Sequence, residues 1–318
     1  MMLKKFIYIT VCMLLIVACD NEEENRPHVE DNRNDNRNIG VDAAALRIET
    51  PHVNGAFLLV PHYADVNGRQ VLNYTVEWNA SIRHSSWVAF YWDKTTAAEE
   101  TSVQRKNNFK WDIDISRNQG SVSSADYSKN GYDKGHICAS EDRVFCQEAN
   151  DQTFYFSNMS PQFSSFNQGF WKELEARVRT WGRATLTGRY DTVYVVKGGT
   201  INRLLTSYAG HNKASDGVIP TTDSNGYSLR SDGKTGLPVP MYYYMALLSV
   251  KNGVYHAIAF IVPHSEDLPK TPKSAELQQY ATTIDNLEYM TGIDFFCNLM
   301  DKEETEVEKT LLLSDWSW

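Results

Sequence analysis

Cysteine is scarce in this chain: five among 318 residues, at positions 12, 19, 138, 146 and 297. They form no Cys-x-x-Cys pair and join no His/Cys cluster, so nothing suggests a zinc site. An internal repeat is also missing, which excludes solenoid and propeller architectures. The apolar run from Phe6 to Val17 is too short for a comfortable membrane span. Positive charge is in deficit, with 31 Lys and Arg against 40 Asp and Glu, a formal −9. Such a balance argues at first against an anionic partner.

Its distribution weakens that objection. Residues 20–40 contribute −4, residues 301–318 another −4, and Lys4 with Lys5 add +2, leaving −3 for the body. A local basic cleft is compatible with that remainder. The start, "MMLKKFIYITVCMLLIVAC", has a basic opening, an apolar core and a small residue before Cys19, which is signal-peptide form. "IVAC" resembles a lipobox, which predicts removal of residues 1–18 and lipidation of Cys19. A signal peptide cut nearby, or an uncleaved anchor, is the alternative. The expected location is outside the cytoplasm, periplasmic or at the cell surface, held to a membrane by acyl chains. Residues 19–40 are polar and asparagine-rich and predict a disordered acidic tether. In an oxidising compartment Cys138, Cys146 and Cys297 permit one disulfide and one odd thiol, Cys138–Cys146 being the shortest closure.

From residue 41 the chain turns strand-rich. Residues 55–63, 73–81, 85–92, 153–158 and 192–196 mix β-branched and aromatic residues between turn signals. Residues 241–250 and 254–262 flank Asn252-Gly253, a strong hairpin turn. A helix over 167–182 carries the stripe Phe170, Trp171, Leu174, Val178 and Trp181 and closes at Gly182, and a later one closes at Gly292. The expectation is one α+β domain over 41–300, a largely antiparallel sheet flanked by helices, with an acidic tail over 301–318.

Two stretches carry the chemistry: "YDKGHICASEDR" (132–143) and "SNMSPQFSSFNQGFWKELE" (157–175). Singly, their residues have plain readings. Asn167 stands where a helix cap would stand, and Glu175 sits four residues before Arg179. Together, Asp133-Lys134-Gly135-His136, the Asn-Gln-Gly-x-Trp-x-x-Leu-Glu run and the spacing between them resemble the DNA/RNA non-specific endonucleases, ββα-metal nucleases with a DRGH signature. "RKNNF" (105–109) and "TGIDFF" (291–296) extend the resemblance over roughly residues 55–300.

The resemblance implies a phosphodiester hydrolase acting on DNA and RNA with Mg²⁺ or Mn²⁺. It makes His136 the general base, a role that suits histidine because its unperturbed pKa lies near working pH. It makes Asn167 the direct protein ligand of the hard cation, enough for an ion that keeps several waters. Glu175 would hold the waters on that ion, Arg105 would contact the phosphate, and Asn158 would position the site. Lys134 replaces the family's arginine, keeping a substrate-binding charge without the planar fork. Glu141 stands where the family usually has a small residue, adding repulsion or pairing with Arg143. Asp133 could hold either the turn or the neighbouring strand. The histidines at 28, 52, 62, 84, 211, 256 and 264 read as structural or surface residues. A non-catalytic module that binds polyanion or carbohydrate, and a phosphodiesterase of small nucleotides, remain alternatives.

Overall fold

Two Asn-Gly turns set the register of the central sheet. Asn67 and Gly68, then Asn252 and Gly253, all have positive φ, the conformation that two-residue hairpins demand. The first joins β1 (Leu58–Val66) to β2 (Arg69–Asn79); the second joins β9 (Tyr242–Lys251) to β10 (Val254–Pro263). With β3 (His84–Trp92), β6 (Thr192–Gly199) and β11 (Ala281–Thr282) they form a seven-stranded sheet. Its order is β1-β2-β3-β6-β9-β10-β11, and every neighbouring pair is antiparallel. Two small hairpins stand apart from it: β4 (Asp133–His136) with β5 (Met159–Gln162), and β7 (Tyr227–Leu229) with β8 (Thr235–Pro238). The helices are α1 (Gln147–Gln152), α2 (Trp171–Arg183), α3 (Ser274–Gln278), α4 (Ile284–Thr291) and α5 (Asp301–Lys309). The α+β expectation holds in this computed structural model, which describes residues 33–40 and 42–318. The signal segment, Cys19, His28 and the tether up to residue 32 lie outside the described residues.

Strand alternation gives the sheet two buried faces. One buries Val88, Phe90, Val195 and Leu247 beneath the β4–β5 hairpin and α2, represented by Met159, Trp171 and Leu174. The other buries Trp87, Ala89, Val196 and Leu248 beneath α4 and α5, represented by Leu287 and Val307. Near the first face, Trp316 and Trp318 pack on Trp181, whose Nε1 donates to the Ser317 carbonyl at 2.6 Å. Residues 301–318 are therefore part of the domain, not a free acidic tail. At the other end, Asn36 donates to Asp294 and Glu304, and the buried Asn38 donates to the Ala45 and Pro51 carbonyls. The expected tether is thus anchored over its last described residues, because its asparagine amides exchange water for the domain's own acceptors.

Three local expectations are corrected. Residues 153–158 are a turn running into a short 3-10 helix, Phe156–Asn158, not a strand; Phe154 and Phe156 are buried from that segment. Gly182 does not end its helix, which runs on to Arg183. A Cβ there would lie 2.1 Å from the Trp92 ring, so the glycine permits close packing on β3. Cys138, Cys146 and Cys297 are all free thiols.

Candidate active site

Strand β4 presents its residues alternately to two sides. Lys134 and His136 share one side and meet the same ring: Lys134 Nζ lies 5.0 Å from the Phe109 centroid, and the His136 and Phe109 centroids are 5.8 Å apart. Phe154 packs edge-on against His136 at 5.0 Å, and the Arg105 guanidinium stands 5.3 Å over that same Phe154 ring. The structure thus gathers Arg105, Lys134 and His136 around two phenylalanines. Gly135, on the opposite side, has no room for a side chain; a Cβ would fall 2.1 Å from Gln162 Oε1.

The His136 ring keeps some exposed edge, yet protein encloses it deeply, and its Nε2 is buried without a partner among the described residues. Burial, reinforced by the Arg105 charge, pushes its pKa down to about 3. The unperturbed histidine value is therefore not kept in the free protein. The ring is neutral, with an unengaged nitrogen.

Asp133 organises the other side of β4. Its Oδ1 accepts from Ser164 Oγ at 2.6 Å, and its Oδ2 accepts from Asn167 Nδ2 at 3.0 Å and Gln168 Nε2 at 2.8 Å. This fixes which way the Asn167 amide faces: the nitrogen is taken, and the oxygen is left as the free acceptor. Asn167 is not a helix cap. It lies within a wide turn, Phe166–Phe170, that precedes α2 and is kinked at Gly169. A hard divalent cation fits such a group, since one oriented amide oxygen beside solvent is the donor type magnesium accepts.

Glu175, on α2, enters a buried charge network. The fully buried Lys197 reaches Asp142 Oδ2 at 2.8 Å and Glu175 Oε1 at 3.3 Å, and Arg179 reaches Asp142 Oδ1 at 2.8 Å. Arg179 also pairs with Glu141 at 2.9 Å. The expected partnerships change accordingly: Arg179 bonds Asp142 and Glu141 instead of Glu175. Arg143 bonds Asn73 Oδ1 and the Tyr91 carbonyl instead of Glu141. Asp142, with two cations at hydrogen-bond distance, stays below the ordinary carboxylate range against the effect of its burial. Glu175 has the longer contact, and burial pushes it up to about 7. Asp142 and Lys197 both influence His136 electrostatically, so this network lies near that ring. Sequence reasoning missed both. The available signal was a lysine closing an apolar strand, since a buried ammonium requires carboxylate partners.

Asn158 is wholly buried and fully engaged. Its Nδ2 donates to the Cys138 and Thr153 carbonyls, and its Oδ1 accepts from the Cys138 N–H, all at 2.8 Å. It clamps the chain just after His136. Among the remaining histidines, His84 and His264 are buried and hydrogen-bonded, and burial lowers them to about 4 and about 3. His211 and His256 are surface residues paired with acids.

A family model described as DNA/RNA non-specific endonuclease matches residues 59–302. Nuclease C1 of Cunninghamella echinulata var. echinulata is 31% identical over 232 residues, 71% of this chain and 81% of that protein. The mitochondrial nuclease EXOG of Xenopus laevis is 30% identical over 236 residues, covering 73% and 58% respectively. Mitochondrial Endonuclease G of Homo sapiens is 27% identical over 183 residues, covering 56% and 53%. A chain solved in the EndoG/EndoGI complex aligns with a TM-score of 0.54 and 25% identity, over 77% of this chain and 89% of that one.

Proposed function

This chain belongs to the DNA/RNA non-specific endonuclease family, and from that premise we propose that His136 is its general base, with Asn167 the cation ligand and Arg105 and Lys134 the phosphate contacts. The enzyme is a phosphodiester hydrolase dependent on a divalent metal; magnesium or manganese is the ion proposed. One observation carries the assignment. The unpartnered Nε2 of His136 lies on the strand face that also gathers Lys134, while the other face fixes the Asn167 amide.

His136 takes a proton from water as that water's oxygen attacks phosphorus. The bond from phosphorus to the 3′ oxygen breaks, leaving a 5′-phosphate and, after proton uptake, a 3′-hydroxyl. A base with a pKa near 3 is always free to accept but accepts weakly. Burial is the larger cause of that weakness; a substrate phosphate beside Arg105 would offset the smaller one, the Arg105 charge, and so raise the ring part of the way. Arg105 and Lys134 support the growing charge on phosphate. Bound at Asn167, the cation would supply Lewis-acid stabilisation of that charge and of the leaving oxygen. Glu175, held by Lys197, would keep a carboxylate near that ion, and Asn158 would set the position of the base.

None of these contacts needs a ribose 2′-hydroxyl, the group by which proteins separate RNA from DNA. Supercoiled plasmid, single-stranded DNA and RNA should all be cut with magnesium and spared with chelator, giving 5′-phosphates by mass. Attack on RNA alone, through 2′,3′-cyclic phosphates, would show the 2′-hydroxyl to be the nucleophile. Hydrolysis of small nucleotides without plasmid nicking would favour the narrower phosphodiesterase, and binding without cleavage a non-catalytic module.

We further propose that lipid on Cys19 tethers the enzyme to a membrane outside the cytoplasm. The Ile16-Val17-Ala18-Cys19 sequence supports this. Cys19→Ala should move the protein from membrane to soluble or unprocessed fractions.

A further inference from the structure

His62, on β1, is read from sequence as a structural histidine, but its surroundings are those of a ligand. The ring is 2% exposed and stacked on Tyr74 at 4.5 Å. Its Nε2 faces two carboxylates, Asp112 Oδ2 at 2.9 Å and Asp114 Oδ2 at 3.9 Å. All three atoms lie within 4.8 Å of one another. Asp112 is buried and further held by Ser157 Oγ, while the Asp114 carboxylate is 54% exposed. Among the described residues neither acid forms an ion pair with a lysine or arginine. Two carboxylates and an imidazole therefore converge, with one side open to solvent.

We propose that His62, Asp112 and Asp114 form a second divalent-cation site, of zinc type, separate from Asn167. Imidazole nitrogen and carboxylate oxygen each stand about 2.0–2.2 Å from zinc, which in a tetrahedron places neighbouring ligand atoms about 3.3–3.6 Å apart. The His62–Asp112 pair, hydrogen-bonded at 2.9 Å, has to give up the shared proton and open by about half an ångström, while the exposed Asp114 side chain, 3.9 Å from His62, closes by about the same amount. Ser157 steadies the buried carboxylate as outer partners of metal ligands do. His62 Nδ1, however, is buried without a partner among the described residues. The hydrogen bond that normally sharpens a metal-binding histidine is missing there, so the ion binds reversibly and exchanges.

Its place in the fold gives it a use. Asp112 and Asp114 close the loop that begins at Arg105 and carries Phe109. Midway, Lys110 is bridged to Tyr155, with Lys110 N–H donating to the Phe154 carbonyl at 3.2 Å and Phe156 N–H to the Lys110 carbonyl at 3.0 Å. An ion at His62 ties the far end of the loop to β1, and so steadies the loop that presents Arg105.

The inference stands apart from the nuclease assignment and is tested without catalysis. Zinc is titrated into the full chain carrying Asn167→Ala, by calorimetry and by melting temperature, and cobalt is followed by its visible absorption. We expect one equivalent bound and a higher melting temperature. Adding Asp114→Asn, an exposed change that leaves the His62–Asp112 contact in place, should weaken binding at least tenfold without moving the metal-free melting temperature. If the Asn167→Ala protein binds no zinc, or the double variant binds it equally well, His62 and Asp112 are only a hydrogen-bonded pair and the site is refuted.

Discussion

Asn167 donates its amide to Asp133 across 3.0 Å, and this contact ties the turn before α2 to the strand that carries His136. One carboxylate thereby links the proposed cation ligand to the strand that carries the proposed base, three residues further along β4. Asp133→Asn keeps the shape but offers only one acceptor oxygen to three donors. We expect a large loss of activity at low magnesium, partly recovered at high magnesium. A loss that added metal leaves unchanged would place the role of Asp133 elsewhere.

Asn167→Asp separates ligand from scaffold. A helix cap would tolerate the change, since both residues cap well. Here it sets a second carboxylate against Asp133, so the metal-free protein should melt lower and magnesium should restore most of the difference. An unchanged melting temperature in chelator would contradict the Asn167–Asp133 contact.

His136→Ala should lower turnover by about 10²–10⁴, the usual cost of losing a general base. Folding should be retained. Burial holds His136 low in the free enzyme, so an acid limb of kcat/KM above about pH 5 points to another group. Glu175, raised to about 7, is the leading one. Glu175→Gln should therefore remove that limb from whatever activity remains; its persistence would return the limb to another residue.

Gly182→Ala places a methyl group inside the Trp92 ring. Overpacking of this kind costs about 1–3 kcal/mol, against a gain near 1 kcal/mol from helix propensity. Denaturant melts should show net destabilisation. A more stable variant would mean that the contact relaxes easily.

Glu288, Glu304 and Glu308 lie with Asp285 and Asp294 where α4 meets α5, and burial raises the three glutamates to about 7, 7 and 8. An acid raised above its unfolded value of 4.5 favours the folded state at low pH and loses that contribution as pH rises through the folded value. This cluster should therefore erode stability between about pH 5 and about pH 9. Glu308→Gln should flatten the decline. An identical slope in the variant would show that the cluster is solvated and not under strain.

Most of the sheet was legible because β-branched and aromatic residues crowd β1, β2, β3, β6, β9 and β10, and Asn252-Gly253 marks its own turn. Motif spacing singled out His136, Asn167 and Glu175 as the candidates. The partners were hidden because they depend on contacts distant in sequence. Lys197 is twenty-two residues from Glu175 and fifty-five from Asp142. The wide turn at Asn167 was read as ordinary helix, because what holds that amide is Asp133, on a strand thirty-four residues earlier. Phe154 and Phe156 misled for a related reason: an apolar run marks burial, and a packed turn buries side chains as well as a strand does.

The two faces of the sheet also answer the difficulty raised by a chain of net charge −9. Arg105 and Lys134 belong to the side of β4 and α2, and the five carboxylates at α4 and α5 belong to the side opposite. Acids that burial keeps partly protonated near neutral pH are thus held apart from the two cations, so the acidic composition does not cancel the local positive charge beside His136.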